Sequence, residues 1–256
     1  MSGLHFRRGA LPIFRKVVAI ETDSWVLESL TTIAIPVSFY LAFGMGLRGQ
    51  IQNVDGMPYM AFITPGLITM TILLEAFKIG AWNLWLGRWH NRMIHEFRIK
   101  PIATVDIIIG EILGAFTMAL AKGALVALIL YLLSPYALSV GALGAYLAYL
   151  FPGSILFTCF GTMVGTFFRK PDQIAQSQAI VITPLLYLGG LFFPTSAFPE
   201  WAQPLVRWLP TTALFEGGRH AFITGVFHGA SWLGLCAMAL ISVVVAAVVF
   251  DRELSR

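Results

Sequence analysis

The stretch SWLGLCAMALISVVVAAVVF, residues 231–250, decides the class of fold. It contains no charged side chain, and a helix of roughly 20 apolar residues is long enough to cross the hydrocarbon core of a bilayer. A surface helix of a soluble protein would instead place charged residues on one face. The stretch therefore predicts a transmembrane helix, and similar runs elsewhere in the chain take the same interpretation.

The composition of the whole chain agrees with membrane insertion. Of the 256 residues, 57% are hydrophobic and 12% are charged, whereas a typical soluble domain has about 25% charged residues. So few charges could not cover a soluble protein of this size without leaving large exposed apolar patches. The composition excludes a soluble enzyme, a disordered chain and a disulfide scaffold, and it predicts an integral membrane protein.

We predict an all-α membrane domain, residues 25–250, between two cytoplasmic termini, residues 1–24 and 251–256. Six transmembrane helices are predicted, at residues 25–47, 59–86, 106–133, 141–168, 174–193 and 231–250. The N-terminal segment lacks the apolar core and cleavage site of a signal peptide. Its apolar residues recur at helical spacing between basic ones, at Leu11, Phe14, Val17 and Val18. This pattern predicts an amphipathic helix lying on the inner membrane surface.

The distribution of basic residues predicts the orientation. Twelve of the 17 Lys and Arg residues fall on one side of the predicted spans, three on the other and two within spans. Because cytoplasmic loops are enriched in Lys and Arg, we expect both termini in the cytoplasm. The same bias accounts for the net charge of +4 without a nucleic-acid partner.

Residues typical of catalytic and metal sites are sparse. Cys159 and Cys236 each lie in an apolar run, and the five histidines have no close ligand spacing such as H-E-x-x-H. The acidic residues of the cytoplasmic loops are scattered, which disfavours a membrane-embedded lipid-modifying enzyme. No inverted repeat suggests a secondary transporter. We predict no metal site and no catalytic residue.

Two connections are too long and too patterned for simple turns. Residues 87–106, GRWHNRMIHEFRIKPIATVD, predict a short amphipathic helix ended by a proline. This helix serves either as a basic anchor at the membrane interface or as a docking surface for a cytoplasmic partner. Residues 189–230 are broken by prolines and glycine pairs yet are strongly apolar. They predict short helices that re-enter the outer leaflet, one of them with an apolar face of Trp201, Leu205, Trp208 and Leu209.

The order of motifs along the chain resembles that of ABC type-2 transporter permeases, most closely the branch of nodulation-factor, polysaccharide and drug export permeases. The motifs are YMAFITPGL (59–67), the segment 96–101, DIIIGEILGA (106–115), QAIVITPLLYLGGLFFPTSAFPEW (178–201) and RWLPTTALFEGGRHAF (207–222). The resemblance covers nearly the whole chain, and the last two motifs are the most specific.

The resemblance implies a coupling helix, between the second and third spans, that docks an ATPase subunit. Its residues would be Arg88, Arg92, Met93, Glu96, Phe97, Arg98 and Pro101. It also implies a re-entrant region with an outer gate, formed by Gly189, Gly190, Phe192, Phe193, Pro194, Phe198, Pro199, Pro210, Glu216 and Arg219. Plain packing is the alternative role for the three phenylalanines.

The resemblance further implies a homodimer of permeases joined to two separate ATP-binding cassette subunits. The sequence contains no G-x-x-x-x-G-K-[ST] loop, so we expect ATP and Mg on the partner subunits and no cofactor on this chain. The expected cargo is an amphipathic lipid-linked oligosaccharide, a polysaccharide or a lipid, exported by alternating access. Drug or antibiotic efflux is the alternative.

Four charged residues fall inside predicted spans, where an unpaired charge is costly. They are Glu75, Lys78, Glu111 and Lys122. Counting about 1.5 Å per helical residue puts Lys78 and Glu111 at similar depth, so they are candidates for an ion pair, structural or functional. Lys122 lies too far along its helix to join Glu111, and we expect it to reach toward the lipid headgroups.

Overall fold

The computed structural model describes residues 3–46, 53–54, 56–90, 103–133 and 140–254. Their regular structure consists of nine α-helices, some with π-helical extensions, one 3₁₀ turn (Thr195–Ala197), and an antiparallel ribbon that pairs Asn53–Val54 with Met57–Pro58. The all-α class expected from the composition is therefore confirmed for the described part of the chain.

The helices are, in chain order, α1 (Gly3–Asp23), α2 (Trp25–Phe39), α3 (Tyr59–Trp85), α4 (Thr104–Leu133), α5 (Val140–Phe167), α6, α7 (Gln203–Arg207), α8 (Pro210–Thr224) and α9 (Gly229–Leu254). Two helices continue as π-helical turns, α2 through Tyr40–Met45 and α3 through Leu86–His90. Helix α6 joins three pieces, Pro171–Ser177, the π-helical Gln178–Ile182 and Thr183–Leu188.

Five of the described helices are long and apolar enough to cross a membrane, and they lie where five of the six predicted spans were placed. They cover Trp25–Phe43, Tyr59–Trp89, Thr104–Leu133, Ala142–Phe167 and Gly229–Glu253. Helix α6, at the position of the remaining predicted span, is shorter and is interrupted by its π-helical turn. The chain is thus a multi-pass membrane protein.

Helix α3 is the centre of the bundle, and most of its length is buried. It packs most extensively on α5, at a contact made of small residues. A Cβ atom added at Gly80 would lie 2.6 Å from the Thr158 carbonyl, and one at Gly161 or Gly165 would overlap backbone carbonyls of α3. The missing side chains let the two helix backbones touch, as small residues do between helices in membranes.

Helix α1 lies lengthwise against α4. A Cβ at Gly110 would lie 2.7 Å from Ile13, and one at Gly114 would lie 2.6 Å from Val17. Because residue numbers rise together along this contact, the two helices run in the same direction. The two α4 glycines leave room for the buried face of α1, which follows α4 along this contact. The position of α1 at the inner membrane surface stays a prediction.

Candidate functional site

Four helices bring charged side chains together inside the bundle. Lys122 of α4 is almost completely buried, and its Nζ contacts one carboxylate from each of three other helices. The distances are 2.8 Å to Glu21 Oε2, 2.6 Å to Glu28 Oε2 and 2.8 Å to Glu75 Oε2. An ammonium group has three hydrogen-bond donors, so this environment satisfies every donor of Lys122.

A second lysine closes the cluster on the side of α2. Lys78 Nζ lies 2.9 Å from Glu75 Oε2 and 3.4 Å from Glu28 Oε2. Hydroxyl groups supply further hydrogen bonds: Thr32 Oγ1 donates to Glu75 Oε1 at 2.9 Å, and Ser24 Oγ donates to Glu28 Oε1 at 2.6 Å. We call the set of three acids and two lysines the charge cluster: Glu21, Glu28, Glu75, Lys78 and Lys122.

The charge cluster contains the one set of carboxylates, within the described ranges, that lie close enough together to share a metal ion. The Nζ of Lys122 is within 2.8 Å of all three, so an internal ammonium group occupies the position that a cation would take. Glu21 comes from the end of α1, which packs along α4.

Another buried acid of the spans, Glu111, lies apart from this cluster. Glu111 faces α1, with its Oε1 4.0 Å from Lys16 Nζ. The expected pairing of Lys78 with Glu111 is wrong because Lys78 projects toward α2 while Glu111 projects toward α1. Lys122 does not reach for headgroups either, since carboxylates surround it within the bundle. The sequence analysis missed Glu21 and Glu28, although a buried lysine implies such partners.

One end of the bundle gathers the termini of α3, α4, α5 and α9. Arg88 Nη2 lies 3.1 Å from Glu253 Oε2, and Thr104 Oγ1 donates to Asp251 Oδ1 at 3.0 Å. The guanidinium carbons of Arg88 and Arg169 lie 4.9 Å and 5.1 Å from the centre of the Trp89 ring. Of the predicted coupling residues, Arg88 is the one described here. The other six lie outside the described residues: Arg92, Met93, Glu96, Phe97, Arg98 and Pro101.

At the opposite end of the bundle, side chains of α8 form hydrogen bonds with the segment that follows α6. The guanidinium of buried Arg219 donates to the Phe62 carbonyl at 3.0 Å and to the Gly190 carbonyl at 2.8 Å, and its central carbon lies 3.5 Å from the centre of the Phe62 ring. Gly190 has a positive φ of 95°, a conformation that glycine adopts without strain. Glu216 accepts hydrogen bonds from the Thr195 hydroxyl and backbone N–H.

The predicted gate residues differ in their surroundings. Phe192 is buried in an aromatic group with Phe39 and Phe43, at ring distances of 5.2 Å and 5.1 Å, whereas Phe193 is half exposed and Phe198 half buried. Gly189 is buried, Pro194 and Pro210 are half-buried, and Pro199 is exposed. Packing thus accounts for Phe192, while the gate as a whole stays a prediction.

The predicted apolar face of the re-entrant region is exposed. Its helix, α7, is only five residues long. Of the side chains that were expected to share a face, Trp201, Leu205 and Trp208 are exposed and Leu209 is half-buried, while Val206 is buried. Helix α7 instead buries Val206, whose carbonyl accepts a hydrogen bond from the Thr212 hydroxyl of α8 at 2.6 Å.

Residues 18–223 match the family of ABC-2 type transporters. The chain belongs to this family. Proteins of this family are transport permeases, and membership implies association with an ATP-binding subunit. The resemblance seen in the motifs is therefore confirmed.

Named relatives of this ABC-2 permease cover most of its length. The inner membrane transport permease YadH of Escherichia coli K12 is 29% identical over 199 residues, which are 78% of this chain and 77% of the relative. Nodulation protein J of Sinorhizobium fredii NGR234 is 25% identical over 221 residues, 83% of this chain and 80% of the relative. Nodulation protein J of Rhizobium leguminosarum bv. viciae is 29% identical over 201 residues, 78% and 76% of the two chains.

Proposed function

We propose that this chain is the permease subunit of an ATP-driven exporter in the bacterial inner membrane. It moves an amphipathic lipid-linked oligosaccharide, a polysaccharide or a lipid by alternating access. The family match and the relatives named as a transport permease and as nodulation proteins support this function. ATP and Mg bind to separate subunits, and this chain converts their motion into opening and closing of a path.

The proposed assembly contains two copies of the permease and two ATP-binding cassette subunits, surrounded by membrane lipids. Helix α6 completes the six spans as the fifth in chain order: residues 171–188 would extend about 27 Å at 1.5 Å per residue, close to the ~30 Å hydrocarbon thickness. With six spans, both termini lie on one side, and the bias in basic residues places that side in the cytoplasm.

The contacts at the Arg88 end carry the mechanical part of the proposal. The segment from 91 to 102, which contains most of the proposed coupling helix, leaves α3 next to Arg88 and enters α4 next to Thr104. Arg88 pairs with Glu253 and Thr104 with Asp251, both near the end of α9. A displacement of the segment by an ATPase subunit would therefore act on three spans together, which is what alternating access requires.

ATPase measurements in lipid nanodiscs test this function. The permease is reconstituted alone and with its cognate ATP-binding subunit, and we expect ATP hydrolysis only in the complex. Replacing Glu96 and Arg98 together by Ala should lower the hydrolysis rate at least about tenfold, because the docking surface loses its charged contacts. The matched control is Arg207→Ala, which removes an exposed basic side chain at the other end of the bundle. Failure to form a complex with any ATP-binding subunit would overturn the proposal.

A further inference from the structure

A half-open apolar groove runs between α4 and α5, and its volume is about 520 Å³. Ile68 and Ile72 of α3 are buried and form its floor, whereas Leu128 of α4 and Leu143 of α5 are exposed at its edges. Phe222 of α8 completes the wall. The groove therefore opens sideways, on a face of the bundle that lies between membrane spans. We call it the α4–α5 groove.

Small residues of α4 create this groove. A Cβ atom added at Gly123 would overlap the Ile72 side chain, so α4 lies close to α3 at this point. Ala124 and Ala127 also line the groove, and each has only a methyl group as its side chain. The space beside α5 is therefore left unfilled by the protein itself.

The lining of the groove favours hydrocarbon over water. Among the described residues that line it, only Tyr131 and Tyr146 have a polar side-chain atom. The Tyr146 hydroxyl already donates to the Pro65 carbonyl at 2.8 Å and lies 2.8 Å from Thr69 Oγ1. A buried water needs two to four polar partners, and an empty space would deprive the lining atoms of dispersion contacts. An apolar molecule is the occupant that avoids both costs.

The dimensions of the groove match one acyl chain. From Leu120 to Tyr131 the groove follows α4 for about 16 Å, and one leaflet contributes about half of the ~30 Å hydrocarbon core. An apolar cavity of about 150 Å³ holds benzene, so the groove has room for roughly 20 carbon atoms. Tyr131 lies two residues before the end of α4. Its phenol ring suits the membrane interface, where the ring contacts lipid and the hydroxyl meets headgroups.

We propose that the α4–α5 groove binds one acyl chain of a membrane phospholipid as a resident part of the bundle. The chain end lies near Leu120 and Leu150, and the ester end lies near Tyr131 and Leu143. In the proposed orientation this lipid belongs to the outer leaflet, because the arginine end of the bundle is the opposite one. The inference concerns how three spans pack, and it holds whether or not the chain exports a lipid.

Photolabelling of the full-length permease tests the groove. The nanodiscs contain a small fraction of phosphatidylcholine whose palmitoyl chain carries a diazirine, either next to the ester or near the methyl end, and mass spectrometry identifies the labelled residues. We expect the ester-end probe at residues 128–131 and 143, and the methyl-end probe at residues 120–124 and 147–150. Leu240 and Ile241 of α9 are exposed and report ordinary lipid contact. A resident chain should label the groove at least about fivefold more than these two residues, because it contacts three helices at once. Equal labelling, or the same labelling pattern from both probes, overturns the proposal.

Variants that fill the groove supply the second test. Ala127→Phe puts a ring where the chain would lie and should lower labelling by the methyl-end probe at least about fivefold. Ala124 is exposed, so Ala124→Leu is the milder variant, and its expected loss is about twofold. Val244→Phe adds a ring on the exposed face of α9 and should leave groove labelling unchanged. Size exclusion verifies that each variant is folded.

Two other occupants would give different results. If a second copy of the permease covered the groove, the probes would not label it, and Ala127→Phe would dissociate the dimer. If the groove held a transported lipid, ATP hydrolysis by the complete transporter would lower the labelling, whereas a resident chain is labelled equally with and without ATP. Either of these results overturns the proposal, as does undiminished labelling in folded Ala127→Phe. Absent ATP coupling with intact groove labelling would refute only the transport function.

Discussion

Lys122 is the residue on which four helices converge. Its ammonium contacts one carboxylate from each of α1, α2 and α3, and each contact is 2.8 Å or shorter. A buried ion pair adds little net stability compared with well-packed apolar residues, but removal of one partner leaves uncompensated charge and costs about 3–5 kcal/mol. The charge cluster therefore makes the correct docking of these helices a condition for folding.

The first prediction concerns the two lysines of the cluster. Lys122→Met should destabilise the permease by about 3–5 kcal/mol, because Glu21, Glu28 and Glu75 then repel one another without a shared cation. Thermal unfolding in detergent, followed by the monodisperse fraction on size exclusion, measures the loss. Lys78→Met is the control and should cost less, since Lys78 is 27% exposed and the carboxylates keep Lys122. Equal losses in the two variants would contradict this ranking.

The second prediction concerns Arg219. Arg219→Lys keeps the positive charge but loses the planar set of donors that reaches the carbonyls of Phe62 and Gly190. We expect faster hydrogen exchange at residues 189–193 and a stability loss of about 1–3 kcal/mol, because buried carbonyls lose partners. Arg207→Lys on the exposed side of α7 should leave exchange at these residues unchanged. Unaltered exchange in Arg219→Lys would show that the packing alone holds the segment.

At the scale of elements, the close contact of α3 with α5 and the course of α1 along α4 follow from glycines. Lipid tails are as apolar as leucine side chains, so helices in membranes associate through close packing and hydrogen bonds more than through hydrophobic burial. Gly161 and Gly165 let α5 touch the α3 backbone, and Gly110 and Gly114 seat α1 on α4. Hydroxyl bonds add to this: Tyr146 Oη donates to the Pro65 carbonyl at 2.8 Å.

The third prediction tests the α3–α5 contact. Gly161→Val places a branched side chain against the Phe77 carbonyl and the Ala81 N–H, so the helices must separate. Overpacking of this kind costs about 1–3 kcal/mol, and we expect a lower unfolding temperature and less folded protein in the membrane. Gly144→Val, on the same helix but with open space around the new Cβ, is the control. Similar yields from the two variants would argue against a backbone contact.

At the scale of the whole molecule, the two ends of the bundle differ in chemistry. Arg88, Arg169 and Arg252 lie near the ends of α3, α5 and α9, while Trp201 and Trp208 are exposed near the opposite ends of these helices. In the proposed orientation the arginine end faces the cytoplasm, as the bias in basic residues predicts. Exposed tryptophans suit either membrane interface, so Trp201 and Trp208 are compatible with the opposite one.

The fourth prediction measures this orientation. In a background in which Cys159 and Cys236 are replaced by Ala, Trp201→Cys should react with a membrane-impermeant maleimide added outside intact spheroplasts. Arg252→Cys should react only after the membrane is opened, because the proposed orientation puts the end of α9 in the cytoplasm. Both positions are exposed in the folded chain, so accessibility reports the side of the membrane and not burial. Reaction of Arg252→Cys in intact cells would reverse the assigned topology.

Residue type and spacing were sufficient for the class of protein and the positions of five spans, and the resemblance of its motifs to known permeases was sufficient for the family. Apolar runs such as 231–250 and 59–86 predict membrane helices because the free energy of transferring each side chain from water into lipid depends little on its neighbours. The motifs at 178–201 and 207–222 could be matched to ABC-2 permeases because each is a contiguous stretch of sequence. Such a stretch can be compared without knowledge of the tertiary structure. The count of six spans and the coupling segment remain predictions.

The charge cluster and the course of α1 were decided only by the tertiary structure. A lone charge in a span requires a partner of opposite charge, but several acids could be that partner. The depth of a residue in the membrane does not tell in which direction its side chain projects from the helix. Lys78 and Glu111 were matched by depth, yet rotation of α3 and α4 turns them toward different helices. Those rotations depend on which glycines let two helix backbones touch. Such contacts join residues far apart in the chain and form only when the helices pack together.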